Sequence, residues 1–293
     1  MLLRPQFPSA SVLNTIIDMG QAVVVIPFRA ENQSRTEIIP RVVTFILSRF
    51  DVNMVVVETG PTKVFNLDAI RSMFFTEYPK GRTAHKLYIE HQFIPATDHN
   101  FRKNTLINTG VHEALRRIPE IRVCVPHDAD CLVTKEQYIE AYNLSLSGAP
   151  FTFPFGHRTV AVDDWKERTF NGVADLRAWV PSGRLDVQGV EGESLAPSGV
   201  LFIRHDAYQD IGYENENFVN YTHEDVERIT RAKILGYEFR RVPGSLFHLT
   251  HERGSASHWS NPHYEAGVAL ARRIAGMTCN EVRAYIQTMN DSR

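Results

Sequence analysis

Three short apolar runs constrain this chain most: Val23-Val24-Val25-Ile26, Met54 to Val57, and Val123-Cys124-Val125. None alternates with polar residues, so each reads as a strand covered on both faces, the habit of parallel sheets. Between them lie stretches with helical spacing. Ser34 to Phe50 brings Ile38, Val42, Phe45 and Ile46 to one face, interrupted early by Pro40, and Thr105 to Ile118 does the same with Leu106, Val111, Leu115 and Ile118. A shorter strand is expected at Lys86 to Glu90. Such alternation predicts an α/β domain with a mostly parallel, Rossmann-like sheet flanked by helices. Ligands of these sheets bind beyond the carboxyl ends of the strands. Pro27-Phe28-Arg29 and Asp128-Ala129-Asp130 both fall there.

The second half is less regular. Gly156 to Ser198 is polar with five glycines and reads as loops with one helix at most. Gly199 to Arg204 reads as a strand, Glu224 to Leu235 as an amphipathic helix ended by Gly236, and Leu246 to Leu249 as a short strand before the loop Gly254 to Pro262. Two helices are expected after Tyr264.

Composition narrows the function. With 293 residues, 43% of them hydrophobic, the chain can bury a sizeable core, and a net charge of −2 without a basic run leaves out the electrostatic footprint of a nucleic-acid binder. No stretch approaches the roughly 18 apolar residues of a membrane span. Three cysteines, Cys124, Cys131 and Cys279, form no metal-type spacing, and their odd number suits a reducing compartment. Arg4, Pro5 and Pro8 interrupt any apolar signal-peptide core near Met1. The expectation is a cytoplasmic or membrane-peripheral protein.

Four clusters carry candidate chemistry. Asp128 and Asp130, flanking one residue at a strand end, can send both carboxylates toward one hard divalent cation. His248 or His251 can complete its coordination, which favours manganese over magnesium, and strand alternation is expected to turn the two imidazoles apart so that one serves. Glu224 and Asp225 at a helix start suit the helix dipole, and one of them can accept a proton from an attacking hydroxyl. Phe28 can wall off a base while Arg29 contacts phosphate. Each has an ordinary alternative: a solvated turn, a hydrogen-bonded histidine, a dipole-favoured acid, a core phenylalanine.

In order and spacing, these residues resemble the β-1,4-galactosyltransferase family, inverting enzymes of the GT-A glycosyltransferase fold. Val23 to Arg29 (VVVIPFR) resembles the family's first strand with its Pro27-Phe28-Arg29 nucleotide contact. Phe101 to Leu115 is similar to the helix before the metal motif, and Asp128-Ala129-Asp130 to the motif itself. Ser198 to Phe202 resembles the strand lining the sugar pocket, Ile211 to Asp225 the segment ending in the acceptor and base motif, and His251-Glu252-Arg253 the metal histidine before a mobile lid.

The resemblance implies one domain in three parts: a nucleotide-binding half at 20–130, a sugar and acceptor half at 131–262, and C-terminal helices at 263–293. It implies that Asp130 and His251 bind Mn2+ (or Mg2+) with Asp128 sharing that role, that Asp225 is the base and Glu224 holds the acceptor hydroxyl, and that Pro27, Phe28, Arg29, Glu58 and Asp128 contact the nucleotide of a UDP-sugar. Gly199, Tyr221 and Trp259 would face the sugar or the acceptor glycan, and Gly254 to Pro262 would close over the donor. The sequence departs from the pattern on the acceptor side. Tyr221 replaces a tryptophan, and Thr222-His223 replaces a glycine pair. The tyrosine that narrows the family's donor pocket falls near Ala196, which leaves room for N-acetylgalactosamine beside galactose as donor sugar. A retaining transferase on the same scaffold and a non-catalytic nucleotide- or glycan-binding protein are the rival readings.

Overall fold

The computed structural model describes residues 16–70, 87–156, 158–163, 165, 184–186 and 198–291. Within them the strands and helices expected in the first half hold in outline. Strands β1 (Ile17–Arg29), β2 (Phe50–Gly60), β3 (Ile89–Pro95) and β4 (Val123–Pro126) are mutually parallel in the order β3-β2-β1-β4. Beyond β4 the sheet continues through β9 (Phe202–Arg204), β6 (Phe151–Phe153) and β10 (Phe239–Arg241). Only β9 runs against the others in this seven-stranded sheet. Val23, Val25, Val55 and Val125 are fully buried, so the β-branched runs are central strands covered on both faces.

Helices α1 (Gln33–Leu47) and α2 (Lys103–Arg117) flank this sheet. Asn32 caps α1 by accepting from the Arg35 amide at 2.9 Å. Pro40 lies inside α1 without ending it. A proline costs about 3 kcal/mol within a helix, and the buried face from Ile38 to Leu47 offsets that. On α2, Gly110 presses on the sheet so closely that a Cβ there would stand 2.5 Å from Val25 Cγ1 and 3.0 Å from Val57 Cγ2. The third strand begins later than its sequence suggests, because Ile89–Pro95 is a half-buried edge whose Glu90, His91 and Gln92 interrupt any apolar run.

A second, four-stranded sheet was not expected, although one of its strands, at Leu246 to Leu249, was. It contains β5 (Cys131–Leu132), β7 (Arg158–Val162), β8 (Arg184–Asp186) and β11 (Ser245–Leu249), in the order β5-β11-β7-β8. Two of these strands fall where loops and a helix were expected; the rest of 156–198 lies largely outside the described residues. Helix α3 (Lys135–Leu146) opens on a capping box between Thr134 and Gln137. The short α4 (His205–Asp210) precedes α5 (Glu224–Ile234), and α6 (Tyr264–Ala275) and α7 (Cys279–Asp291) close the described chain. Gly236, at φ +87°, terminates the turn after α5. No helix among the described residues is long and apolar enough to cross a membrane.

Candidate active site

From β1 the chain moves outward through β2 and β3, then returns to lay β4 on the other side of β1, so the sheet's switch point lies between β1 and β4. Past Pro126 the backbone turns sharply. His127 bridges to Val200, and Asp128 is tied to Gly199 twice, by its amide (2.7 Å to the Gly199 carbonyl) and by its Oδ2, which accepts the Gly199 amide at 3.1 Å. Gly199 sits at φ +105° with Leu246 Cδ2 2.6 Å from where a Cβ would stand, so a side chain there would break this contact.

The turn carries Asp130 into β5, which lies antiparallel to β11 with Cys131 opposite His248. Asp130 Oδ2 is 2.7 Å from His251 Nε2 and 3.7 Å from His248 Nε2, and one ligand atom from each residue lies within 4.8 Å of the others. The expectation that alternation would part the histidines is therefore corrected. The strand ends at Leu249, and Thr250 turns to donate its amide to the Val162 carbonyl, which swings His251 back beside His248.

His251 Nδ1 is 2.8 Å from the Glu252 carbonyl, which can only accept, so Nδ1 carries the hydrogen. Nε2 then faces a carboxylate, and only a proton or a metal ion can stand between two such acceptors. One carboxylate and two imidazoles suit a borderline divalent ion. Burial would raise the Asp130 carboxyl, but the two imidazoles hold it well below the usual carboxylate range.

Facing this cluster is a second one, in which the expected carboxylates meet two cations that the sequence did not single out. Lys103, the first residue of α2, places Nζ 3.0 Å from Asp128 Oδ1, 3.0 Å from Asp225 Oδ2 and 3.9 Å from Glu224 Oε1. One turn along α5, Arg228 donates to Asp225 Oδ1 (2.9 Å) and to the buried Glu214 (2.7 Å). Burial opposes charge on Asp225, yet Lys103 and then Arg228 keep its carboxyl below the ordinary value. Glu224 goes the other way: burial, then the charge of Asp225, push it up to about 7 against the pull of Lys103. Its Oε2 turns back to accept the Thr222 amide at 3.2 Å. Burial likewise raises Asp128, with Lys103 opposing. Lys103, Asp128, Gly199 and Asp225 line a cavity of only about 10 Å³.

The remaining predicted residues divide. Phe28 is 1% exposed and belongs to the core, so it offers no open stacking face. Pro27 is buried beside it in β1. Arg29 donates to the carbonyls of Asp98 (2.7 Å) and Asn100, bracing the approach to α2. Glu58 is fully buried, accepts the Val64 amide at 2.8 Å and pairs with His91 at 2.7 Å, so its carboxylate is turned inward. Tyr221 is 47% exposed, stacks near-parallel on Tyr264 of α6 and lies under Arg253. Trp259 is 65% exposed beside His258, so it does not anchor its loop to the core. Ala196 lies outside the described residues.

Another pair escaped the sequence reading. His127 is fully buried, and its Nδ1 donates to the Asp128 carbonyl at 2.8 Å while its Nε2 accepts the Tyr138 hydroxyl at 2.6 Å. This tethers the Asp128–Asp130 turn to α3. Burial lowers this imidazole to about 4, so it stays neutral at physiological pH. The only sequence signal was a histidine directly before the aspartates.

No family model matches the chain, and no curated protein sequence matches it. Solved structures do resemble it. Staphylococcus aureus TarS residues 1–349 superposes with a TM-score of 0.51 at 13% identity, covering 92% of this chain and 72% of that one. A mannosyltransferase from Pyrobaculum calidifontis, PcManGT, gives 0.49 at 15% identity, covering 94% and 71%. The catalytic domain of Drosophila beta1,4galactosyltransferase 7 gives 0.42 at 13%, covering 77% of this chain, which spans 65% of that domain. Identities this low speak to architecture alone. The chain has the GT-A fold: one α/β domain with a mostly parallel sheet flanked by helices.

Proposed function

We propose that this chain is a metal-dependent glycosyltransferase that moves a hexose or N-acetylhexosamine from a UDP-sugar to a hydroxyl of a glycan or similar acceptor, with inversion. One observation carries the reading. Asp130, His248 and His251 converge at the switch point of a GT-A sheet, and across Lys103 from them lies a carboxylate pair, Glu224 and Asp225. A galactose or N-acetylgalactosamine donor follows from the resemblance of the motifs and belongs to the same proposal.

Asp130, His248 and His251 would hold a divalent cation, which supplies positive charge to a departing diphosphate. The acceptor hydroxyl needs a base, and Asp225 suits the role because it faces the same small cavity as Asp128 and Gly199. Glu224 is not among the residues lining that cavity and is tied back to Thr222. As it stands, Asp225 has one oxygen on Lys103 and the other on Arg228. The cavity also has room for little more than one water. Productive binding therefore requires Lys103 to swing off Asp225, which opens space and raises the proton affinity of the carboxylate. Glu224, titrating near neutrality, can hydrogen-bond the acceptor hydroxyl in either protonation state. The exposed Tyr221 ring, stacked on the half-buried Tyr264, offers a flat apolar face close in sequence to this pair.

A panel of nucleotide sugars screened with Mn2+ for thermal stabilisation, followed by NMR of the product's anomeric configuration, tests this reading. Metal-dependent stabilisation by a UDP-sugar and an inverted product are expected. A retained configuration would remove Asp225 from the base role, and binding without turnover would favour a non-catalytic protein.

A further inference from the structure

Between the start of α1 and the chain that follows His251 there is a seam with two buried polar atoms that find no hydrogen bond among the described residues: Arg35 Nε and Glu31 Oε2, 3.9 Å apart. Their surroundings are well held. Asn32, the α1 cap, donates from Nδ2 to the Glu252 carbonyl at 2.8 Å, and Arg35 reaches Ser257 Oγ with a terminal nitrogen at 3.3 Å. A Cβ on Gly254 would collide with the Glu31 carboxylate, so this glycine lets the loop lie flat on the seam. Buried polar atoms that meet only across a long ion pair and make no hydrogen bond are rare in native proteins and call for an explanation.

The neighbouring cluster offers one. Arg35 is close enough for its charge to act on Asp130. A permanent cation beside a site suited to a divalent ion is repulsive unless an anion lies between them. The reading above supplies such an anion, a diphosphate. Arg35 stands in the first turn of a 15-residue helix, where the backbone dipole also favours negative charge. A guanidinium with an unengaged Nε–H matches phosphate oxygens.

We propose that Arg35 is a phosphate contact for the donor, gripping the diphosphate from the side opposite Asp130, His248 and His251, with Glu31 holding the guanidinium in place until that anion arrives. The inference rests on the functional reading above. It adds a residue that neither the motif pattern nor the resemblance assigned, and it gives the loop after His251 a reason to touch α1 at Ser257: the same side chain serves the loop and the phosphate.

Isothermal titration of the full chain tests it, with Mn2+ alone, Mn2+ plus inorganic pyrophosphate, and Mn2+ plus UDP as probes. Arg35→Ala should weaken pyrophosphate and UDP by about 30-fold, the scale for truncating one partner of a buried charged pair, while Mn2+ alone binds as in the wild type. Arg35→Lys should recover part of that loss. Glu31→Gln should tighten both anions a few-fold by removing their competitor. Pyrophosphate binding by Arg35→Ala within two-fold of the wild type would overturn the assignment, as would an equal loss of Mn2+ affinity, which would mark a structural role. Wild-type protein that binds neither pyrophosphate nor UDP with Mn2+ would instead sink the functional reading, and this inference with it.

Discussion

Asp130 and Asp225 are the same residue type, both nearly buried, yet their surroundings commit them to opposite tasks. Asp130 faces two imidazoles, partners that can give up a proton and present a lone pair to a metal ion. Asp225 faces an ammonium and a guanidinium, permanent cations that satisfy its charge and would repel a metal. A carboxylate's role here is set by whether its neighbours can change charge, and Lys103 marks the border by touching Asp128 on one side and Asp225 on the other.

The contrast can be broken by experiment, most sharply on the metal side. Asp130→Ala should abolish Mn2+-dependent stabilisation and lower transfer by about 5 kcal/mol of barrier, more than a thousandfold; Mn2+ thermal shifts and donor turnover report both. Asp225→Asn should reduce transfer by about a hundredfold to a thousandfold while Mn2+ and UDP titrations stay near wild type. If that variant lost metal binding instead, the two aspartates would not be distinct. Lys103→Met strands two carboxylates without their shared cation. It should cost about 4 kcal/mol in chemical denaturation, the scale for removing one partner of a buried ion pair.

Glu224 gives the smallest and most diagnostic effect. Its carboxyl stands at about 7 in the fold against 4.5 ordinarily, so between those values the folded chain holds a proton that the unfolded chain has released. The stability it contributes is present below about pH 4.5, declines as pH rises, and is lost above about pH 7. Glu224→Gln stays neutral throughout. Its stability relative to wild type should therefore climb across that window and level off above it, by about 3 kcal/mol, in denaturation at pH 5 and pH 8. A flat difference would show that Glu224 is ordinary.

The sheet was legible in the sequence because its central strands are buried on both faces, and Val23 to Ile26 has no other economical reading. Within the first half of the chain, the miss was the edge strand Ile89–Pro95, where partial exposure admits polar residues. The small sheet was not legible, since β5 has two residues and β8 three, too few for any periodicity. The cation cluster was half visible: Asp130 and the two histidines stood out as residue types, but their convergence depends on where β11 stops. Lys103, Arg228 and Arg35 were invisible for a common reason. Each is a charged residue near a helix start or along a helix, where a solvated side chain is the default expectation, and only the tertiary fold turns it inward. Phe28 shows the reverse: its motif suggested a place against a base, and the fold seats its ring in the core, the ordinary alternative for a phenylalanine.

Gly110 stands seven residues from Lys103 on α2, about 10 Å along the axis. The absence of one methyl group there lets the helix settle onto Val25 and Val57, and so sets the height at which the ammonium meets its two carboxylates. Gly110→Ala would lift the whole rod by a fraction of its own width. A position in the hydrophobic interior thereby acts as a tuning screw for charge pairing around Lys103, and drift at that position is a route by which this pairing can change while every polar residue stays the same.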